Sequence, residues 1–430
     1  MKLKLVKHIL IHSPEVNENT KKWGVYCIPR MWRDINGKLV VRFNGEEDTS
    51  FLDTINRAPN LFFTSDDNGE TWEADPNGAE KYDIRILSGW DAPFLKCSDG
   101  KIRAIRALTD KKAIKDVPLI KKFPNPTHGL GMGVYRQGDL SNEFFGCELL
   151  TYENENAEPT VTPININFPE REIIVDTTAN NGEAEVPIDS YVKPHIFAMP
   201  YVNSIFELEE GILGGLAYGQ CPKVSEHFCL EAYLLESRDG GENWQMRSVI
   251  TPEAEKYPYG LVGDGGEMSI TRAANGDLLC VTRTDLSCDH QAQGISCGMK
   301  LFVSKDNGYT WSNQREIADS SVTPHIKTLK NGMLIAGYGR PGVHIIYSLD
   351  NGETWSEPIS IIGRTLSEEM AAGSDYMTCK YWDTPSYSNL FMEVLEDDTV
   401  LVLYNNQKYK DSDGLNHKAA FIAVLKPVED

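Results

Sequence analysis

The sequence contains no long apolar run. Its N-terminal apolar stretch, Ile9-Leu10-Ile11, is interrupted by His8 and His12 and falls far short of the about 20 residues a membrane span needs, or of a secretory leader. This reads as a soluble, cytoplasmic protein, with a secreted mature form stripped of its leader as the alternative. Basic residues are in deficit: 42 Lys and Arg stand against 63 Asp and Glu, a formal net charge of −21. Nucleic acid or an anionic membrane would be repelled over most of such a surface, so neither is expected as a partner. Any anion-binding site must be a local cluster of Arg. The nine cysteines lack CxxC spacing and are odd in number, which suits reduced thiols better than a disulfide framework. No Cys/His quartet at zinc spacing and no nucleotide-binding loop is present, so no metal and no cofactor is expected.

Long amphipathic helical stretches are scarce as well. What the chain has instead is turn chemistry, with 35 Gly and 22 Pro. The pattern Ser-x-Asp-x-Gly-x-x-Trp occurs four times: Ser65 to Trp72, Ser237 to Trp244, Ser304 to Trp311 and Ser348 to Trp355. Each copy follows an apolar run that reads as a strand, such as Leu61-Phe62-Phe63 or Ile345-Ile346-Tyr347. Each is therefore expected to be a hairpin turn. The Asp carboxylate accepts backbone N–H bonds, the Gly supplies a positive φ, and the Trp opens the next strand and packs sideways. Asp67 followed by Asn68-Gly69 has the look of a calcium loop, but the distal bidentate Glu of such loops is missing and the turn explains the residues.

A second signal counts the units. An apolar strand, a turn ending in Gly or Asp and another strand recur at Asn36-Gly37, Asp99-Gly100, Glu210-Gly211, Asn275-Gly276, Asn331-Gly332 and Asp397-Asp398. Four of the five intervals are 56 to 66 residues, room for a four-stranded blade, and the interval from Gly100 to Gly211 is 111. Repeats at such a period indicate a propeller or solenoid. The reading is one domain over residues 1–430, with an insertion at roughly 115–192 in or after blade 2. The polar stretches Glu153 to Pro163 and Thr177 to Glu185 read as long loops, with a small inserted β-subdomain as the alternative. Met1 to His12, where Lys alternates with apolar residues, is expected to close the ring against the last blade.

The octamer resembles the Asp-box, or BNR repeat, of sialidases (neuraminidases) and related β-propellers. The resemblance implies an all-β fold, a six-bladed sialidase-like propeller, and a retaining exo-α-sialidase-like glycoside hydrolase. Such enzymes release a sugar whose anomeric carbon carries a carboxylate. A carboxylate nucleophile would be repelled there, so a Tyr hydroxyl attacks, with a Glu to take its proton. Pro385-Ser386-Tyr387-Ser388-Asn389-Leu390 resembles the family's Tyr-Ser-Asp-Leu, which makes Tyr387 the nucleophile. Gly266-Glu267-Met268-Ser269 followed by Leu278 to Arg283 resembles the Glu-bearing strand and the return strand ending in Arg. Glu267 then becomes the base and Arg283 a carboxylate clamp; a surface Glu and Arg on an exposed strand is the alternative.

By the same resemblance Arg340, eight residues before Ser348, is another clamp, and Asp53, twelve residues before Ser65, is the general acid. Trp90-Asp91-Ala92-Pro93 resembles the stretch near the sugar hydroxyls, which adds Asp91 to the substrate-binding set. One departure stands out. Where the family has Arg-Ile-Pro, this chain has Cys27-Ile28-Pro29, and a Cys does not bind a carboxylate. Arg30 is the nearest substitute, but on a regular strand a shift of three residues puts it on the opposite face, so a bulge or changed register is required. The expected partner is a sialylated or other acidic glycan. Another 2-keto acid sugar such as Kdn or Kdo, or a carbohydrate-binding propeller without turnover, are the competing readings.

Overall fold

Each of six antiparallel sheets opens on a hairpin whose turn the sequence marks. The computed structural model describes residues 1–13, 27–44, 60–83, 86, 93–107, 112–113, 117–124, 131–140, 147–167, 169–170, 172–176, 191–192, 204–220, 229–251, 259–260, 267–284, 298–373, 390–410 and 416–429. These residues are almost wholly β, with the blades of a six-bladed β-propeller. In chain order, blade 1 is Cys27–Arg33, Leu39–Asn44, Asn60–Ser65 and Glu73–Ala74; blade 2 is Leu95–Lys96, Ile102–Ala107, Cys147–Tyr152 and Thr160–Pro163. Blade 3 is Ser204–Glu209, Ile212–Gln220, Cys229–Ser237 and Asn243–Val249, with Asn165–Asn167 added in parallel to its last strand. Blade 4 is Met268–Arg272, Leu278–Thr282, Met299–Ser304 and Arg315–Ala318, and blade 5 is Val322–Thr328, Leu334–Gly339, Val343–Ser348 and Ile359–Ile362. Blade 6 takes Phe391–Val394, Val400–Lys410 and Asn416–Val428 from the C-terminus and its fourth strand, Lys2–His12, from the N-terminus.

The six counting turns are the first-to-second hairpins of the six blades. In each the turn residue has a left-handed backbone: φ is +82° at Gly37, +84° at Gly100, +74° at Gly211, +92° at Gly276, +88° at Gly332 and +64° at Asp398. The last shows why a turn without Gly still reads, since Asp tolerates this conformation better than most side chains.

The octamers are third-to-fourth hairpins. In blade 5 the Ser348 hydroxyl donates to Asp350 at 2.7 Å and accepts from Gly352 N–H at 2.9 Å, while the Asp350 carboxylate accepts from Thr354 N–H at 2.9 Å and from its hydroxyl at 2.6 Å. The same set recurs at Ser65, Ser237 and Ser304, with Asn243 replacing the Thr in blade 3. The Thr hydroxyl bonds above all hold Asp67, Asp306 and Asp350 at a pKa of about 2. Gly352 has φ +87°, and a Cβ there would lie 2.6 Å from Leu279 of blade 4, so this glycine serves both the turn and the fit between blades. The indole N–H of Trp311 reaches back sideways to Ser248 of blade 3 at 3.0 Å, whereas those of Trp72 and Trp244 donate to the Gly69 and Gly241 carbonyls of their own turns. Blade 6 has no such hairpin because its third and fourth strands are the two ends of the chain. In blade 2 the equivalent turn is Glu153 to Pro159. That turn and the edge strand Thr160–Pro163 replace the loop expected there, with Pro163 on the edge of its sheet, where a missing N–H does least harm. Apart from the blades, Lys121–Pro124, Gly131–Arg136 and Glu172–Asp176 form a three-stranded sheet, and Lys112–Ala113 pairs with Tyr191–Val192.

The N-terminal strand pairs antiparallel with the last, Leu3 opposite Pro427 and Ile9 opposite Ile422. Leu3 sits at 4 % exposure in a core with Ile335, Ile345, Val400, Val402 and Leu425; its burial contributes about 2 kcal/mol. Lys2, Lys4 and Lys7 stay exposed along this edge, which discourages pairing with another chain. By their own contacts the described residues fall into two compact units, one of Met1–Tyr82, Ile270–Leu301 and Glu316–Asp430, the other of Asp83–Ser269 and Phe302–Arg315.

Candidate active site

In an up-and-down blade the start of the first strand and the end of the second lie at the same end of the sheet, and the octamer turns lie at the other. Arg283 follows the second strand of blade 4, Arg340 follows the second strand of blade 5, and Glu267 immediately precedes the first strand of blade 4. Arg283 is 9 % exposed, Arg340 7 % and Glu267 6 %. The surface Glu and Arg of the alternative reading are thus replaced by buried charges, which are rare unless matched. Glu267 belongs to the second compact unit and the arginines to the first. Asp53, Asp91 and Tyr387 lie outside the described residues.

Arg340 is carried on a three-residue turn, Arg340-Pro341-Gly342, with a cis Arg340–Pro341 bond and φ +65° at Gly342. Fully buried His344 donates from Nε2 to the Pro341 carbonyl at 3.0 Å, which leaves Nδ1 to accept from the Ser360 hydroxyl at 3.1 Å. Burial pushes the His344 pKa down, in keeping with a neutral ring in these roles. Next to Arg283, Thr284 donates its N–H to the Ser321 hydroxyl at 3.2 Å and its hydroxyl to the Gly298 carbonyl at 2.9 Å. The segment leaving blade 4 is thereby tied to the segment entering blade 5.

The bulge that Arg30 requires is present. Position 27 pairs with Asn44 and Arg30 with Arg42, so three steps on the first strand of blade 1 match two on its partner. Arg30 therefore takes the face that position 27 occupies. Its guanidinium lies over the Phe391 ring, 5.5 Å from the centroid. Arg33, by contrast, is held by Glu393 at 3.0 Å and the Gly37 carbonyl at 2.9 Å.

Blade 5 carries the same bulge, Val322 pairing with Gly339 and His325 with Gly337. Within it Thr323 has φ +47° and its hydroxyl accepts from Leu390 N–H at 3.0 Å. His325 meets the Phe391 ring edge-on at 4.8 Å. The sequence reading missed Thr323, His325, Phe391 and His344. A signal was available for the first two: Val322-Thr323-Pro324-His325 stands as far before Gly332 as Cys27-Ile28-Pro29-Arg30 does before Gly37, with Pro at the same place.

One His-x-x-x-His spacing exists, His8 to His12, but His8 bonds the Tyr404 hydroxyl at 2.9 Å and His12 the Ser13 carbonyl at 2.7 Å. Among the described residues no three His, Cys, Asp or Glu side chains form a cluster able to hold a metal. None of the described helices is long and apolar enough to cross a membrane.

The BNR/Asp-box repeat model matches residues 63–74 and 346–357, the octamer turns of blades 1 and 5. The chain is a six-bladed β-propeller that carries Asp-box turns. A sialidase of Vibrio cholerae serotype O1 is 27 % identical to it over 163 residues, 32 % of this chain and 21 % of that protein. The match thus spans about a fifth of the relative's length. Among solved structures, a protein of unknown function from Dyadobacter fermentans is 14 % identical with a TM-score of 0.55, covering 99 % of both chains. An α-L-arabinanase of Penicillium chrysogenum is 12 % identical with a TM-score of 0.42, covering 98 % of both. At 14 % identity the first of these is a likeness of fold alone.

Proposed function

We propose that this propeller is a retaining exo-α-sialidase-like glycoside hydrolase that releases a terminal sialic acid from glycoconjugates. The observation that carries the reading is the burial of Arg283 and Arg340 at the end of their blades away from the boxes. Two guanidinium groups there suit a planar carboxylate, bound by charge-assisted and often bidentate hydrogen bonds. Arg30 is the third clamp, reached through the bulge in blade 1, and Asp91 meets the sugar hydroxyls. Asp53 protonates the glycosidic oxygen as the bond to the anomeric carbon breaks. The Tyr387 hydroxyl attacks that carbon, and Glu267 takes its proton. Asp53 then removes a proton from water, which displaces the Tyr387 oxygen, and Glu267 returns the proton to it. Both units belong, in this reading, to one propeller domain; of the insertion expected at roughly 115–192, Cys147–Tyr152 and Thr160–Pro163 are blade 2's own third and fourth strands, and the insertion is the additional three-stranded sheet of Lys121–Pro124, Gly131–Arg136 and Glu172–Asp176.

A second reading keeps this machinery and changes the sugar to another 2-keto acid such as Kdn or Kdo. It is favoured by Arg30, which enters three residues deeper along its strand than position 27. A panel of 4-methylumbelliferyl glycosides of these acids tests both: turnover confined to one sugar selects between them, and no turnover on any leaves a carbohydrate-binding propeller.

A further inference from the structure

Arg30, His325 and Phe391 stand at one and the same place in three blades. Counted along the hairpins, Arg30 pairs with Arg42, His325 with Gly337 and Phe391 with Leu403, each three steps into its second strand. Blade 6 follows blade 5 in the chain and takes its last strand, Lys2–His12, from the residues that precede blade 1. The three side chains meet: the guanidinium of Arg30 lies over the ring of Phe391, and the imidazole of His325 forms a T-shaped pair with that ring, centroids 4.8 Å apart. The ring is 4 % exposed and His325 1 %, while Arg30 is partly exposed. The cation thus lies toward solvent and the aromatic ring beneath it.

We propose that Phe391 is a positioning residue for Arg30, held in place by Thr323 and His325 of the blade 5 bulge, so that the acid-binding guanidinium of blade 1 rests on an aromatic floor. A guanidinium within about 6 Å of a ring centroid is attracted by the ring's negative face. The ring takes up one side of the group, and a guanidinium grips a carboxylate through its in-plane N–H donors. The floor itself is fixed. Leu390, the residue before Phe391, donates its N–H to Thr323, and Thr323 reaches that position with a left-handed backbone that a β-branched residue rarely adopts. Such an outlier persists only where the surroundings enforce it. Position 27, a Cys, lacks the chemistry of a clamp, and the bulge gives its face to Arg30.

The inference rests on the reading of Arg30 as a carboxylate clamp, and two measurements separate them. The first is KM and kcat on the acidic-sugar glycoside for wild type, Phe391→Leu and Phe391→Tyr, each also in an Arg30→Met background. Phe391→Leu is expected to raise KM about three- to tenfold with a smaller change in kcat, Phe391→Tyr to restore it, and Phe391→Leu to add nothing once Arg30 is Met. An equal rise in KM in both backgrounds overturns the proposal. The second is the shift in Tm across the same Arg30/Phe391 cycle without ligand. Non-additive shifts with no turnover by the wild type support the stacking and overturn the carboxylate reading. Turnover with strictly additive shifts overturns the stacking.

Discussion

The Nε2 of His344 lies 3.0 Å from the carbonyl oxygen of Pro341, so a side chain with no solvent exposure braces the turn that carries Arg340. His344→Leu leaves that carbonyl and the Ser360 hydroxyl without their partner and is expected to cost about 1–3 kcal/mol. Gly342→Ala should cost at least as much, because its Cβ would lie 2.3 Å from the Ile362 carbonyl in a left-handed backbone. Denaturant midpoints check both, and KM should rise in any variant that still folds.

The same histidine predicts a pH dependence. Burial lowers its pKa in the fold, whereas the unfolded imidazole titrates near about 6.5. Between the folded value and about 6.5 the unfolded chain binds more protons, so stability falls as pH drops below about 6.5. His8, also lowered by burial, acts in the same direction. Unfolding free energies from pH 7.5 downward should show this slope in wild type and a shallower one in His344→Gln.

The Asp-boxes act at lower pH. Asp67, Asp306 and Asp350 sit at about 2 in the fold, below the about 3.9 of an unfolded Asp. Their contribution is present above about 3.9 and is lost as pH falls through about 2. Asp350→Asn should flatten the acid limb of the stability curve. Ser348→Ala, which removes the acceptor of the buried Gly352 N–H, should cost about 1–2 kcal/mol at neutral pH.

The N-terminal strand is expected to be part of the cooperative unit. Leu3→Ala should cost about 2–3 kcal/mol by emptying its place in the core, whereas exposed Lys4→Ala should stay within about 0.5 kcal/mol. Thermal unfolding of the two variants distinguishes them.

The three arginines are expected to differ from their neighbours in binding. Arg283→Met, Arg340→Met and Arg30→Met should each weaken an acidic ligand by about 10- to 100-fold, the worth of a hydrogen bond between charged groups. Arg33→Met should change affinity little, because Arg33 is held by Glu393. Titration with the free acidic sugar measures all four.

What was legible in the sequence was what local chemistry dictates. The six first hairpins could be counted because a left-handed turn residue restricts the choice to Gly and, at Asp398, Asp. The box turns could be read because Ser, Asp and Gly satisfy one another within eight residues. The edge strand Thr160–Pro163 was missed because its signal is short and polar and its pairing partner, Cys147–Tyr152, supplies the order. Arg30 was found only as a conditional candidate, since the bulge that turns it is decided by pairing with Leu39–Asn44. Phe391 and His325 were invisible as a pair because equivalent positions in different blades meet only once the blades are assembled.

The most direct test is release of 4-methylumbelliferone from its α-N-acetylneuraminic acid glycoside by wild type, Tyr387→Phe and Glu267→Gln across a range of pH. The account predicts turnover by wild type that collapses by several orders of magnitude in Tyr387→Phe and falls strongly in Glu267→Gln, with all three equally folded. Wild-type turnover that survives in Tyr387→Phe would contradict the tyrosine mechanism, and no turnover on this or any other 2-keto acid glycoside would contradict the glycosidase reading itself.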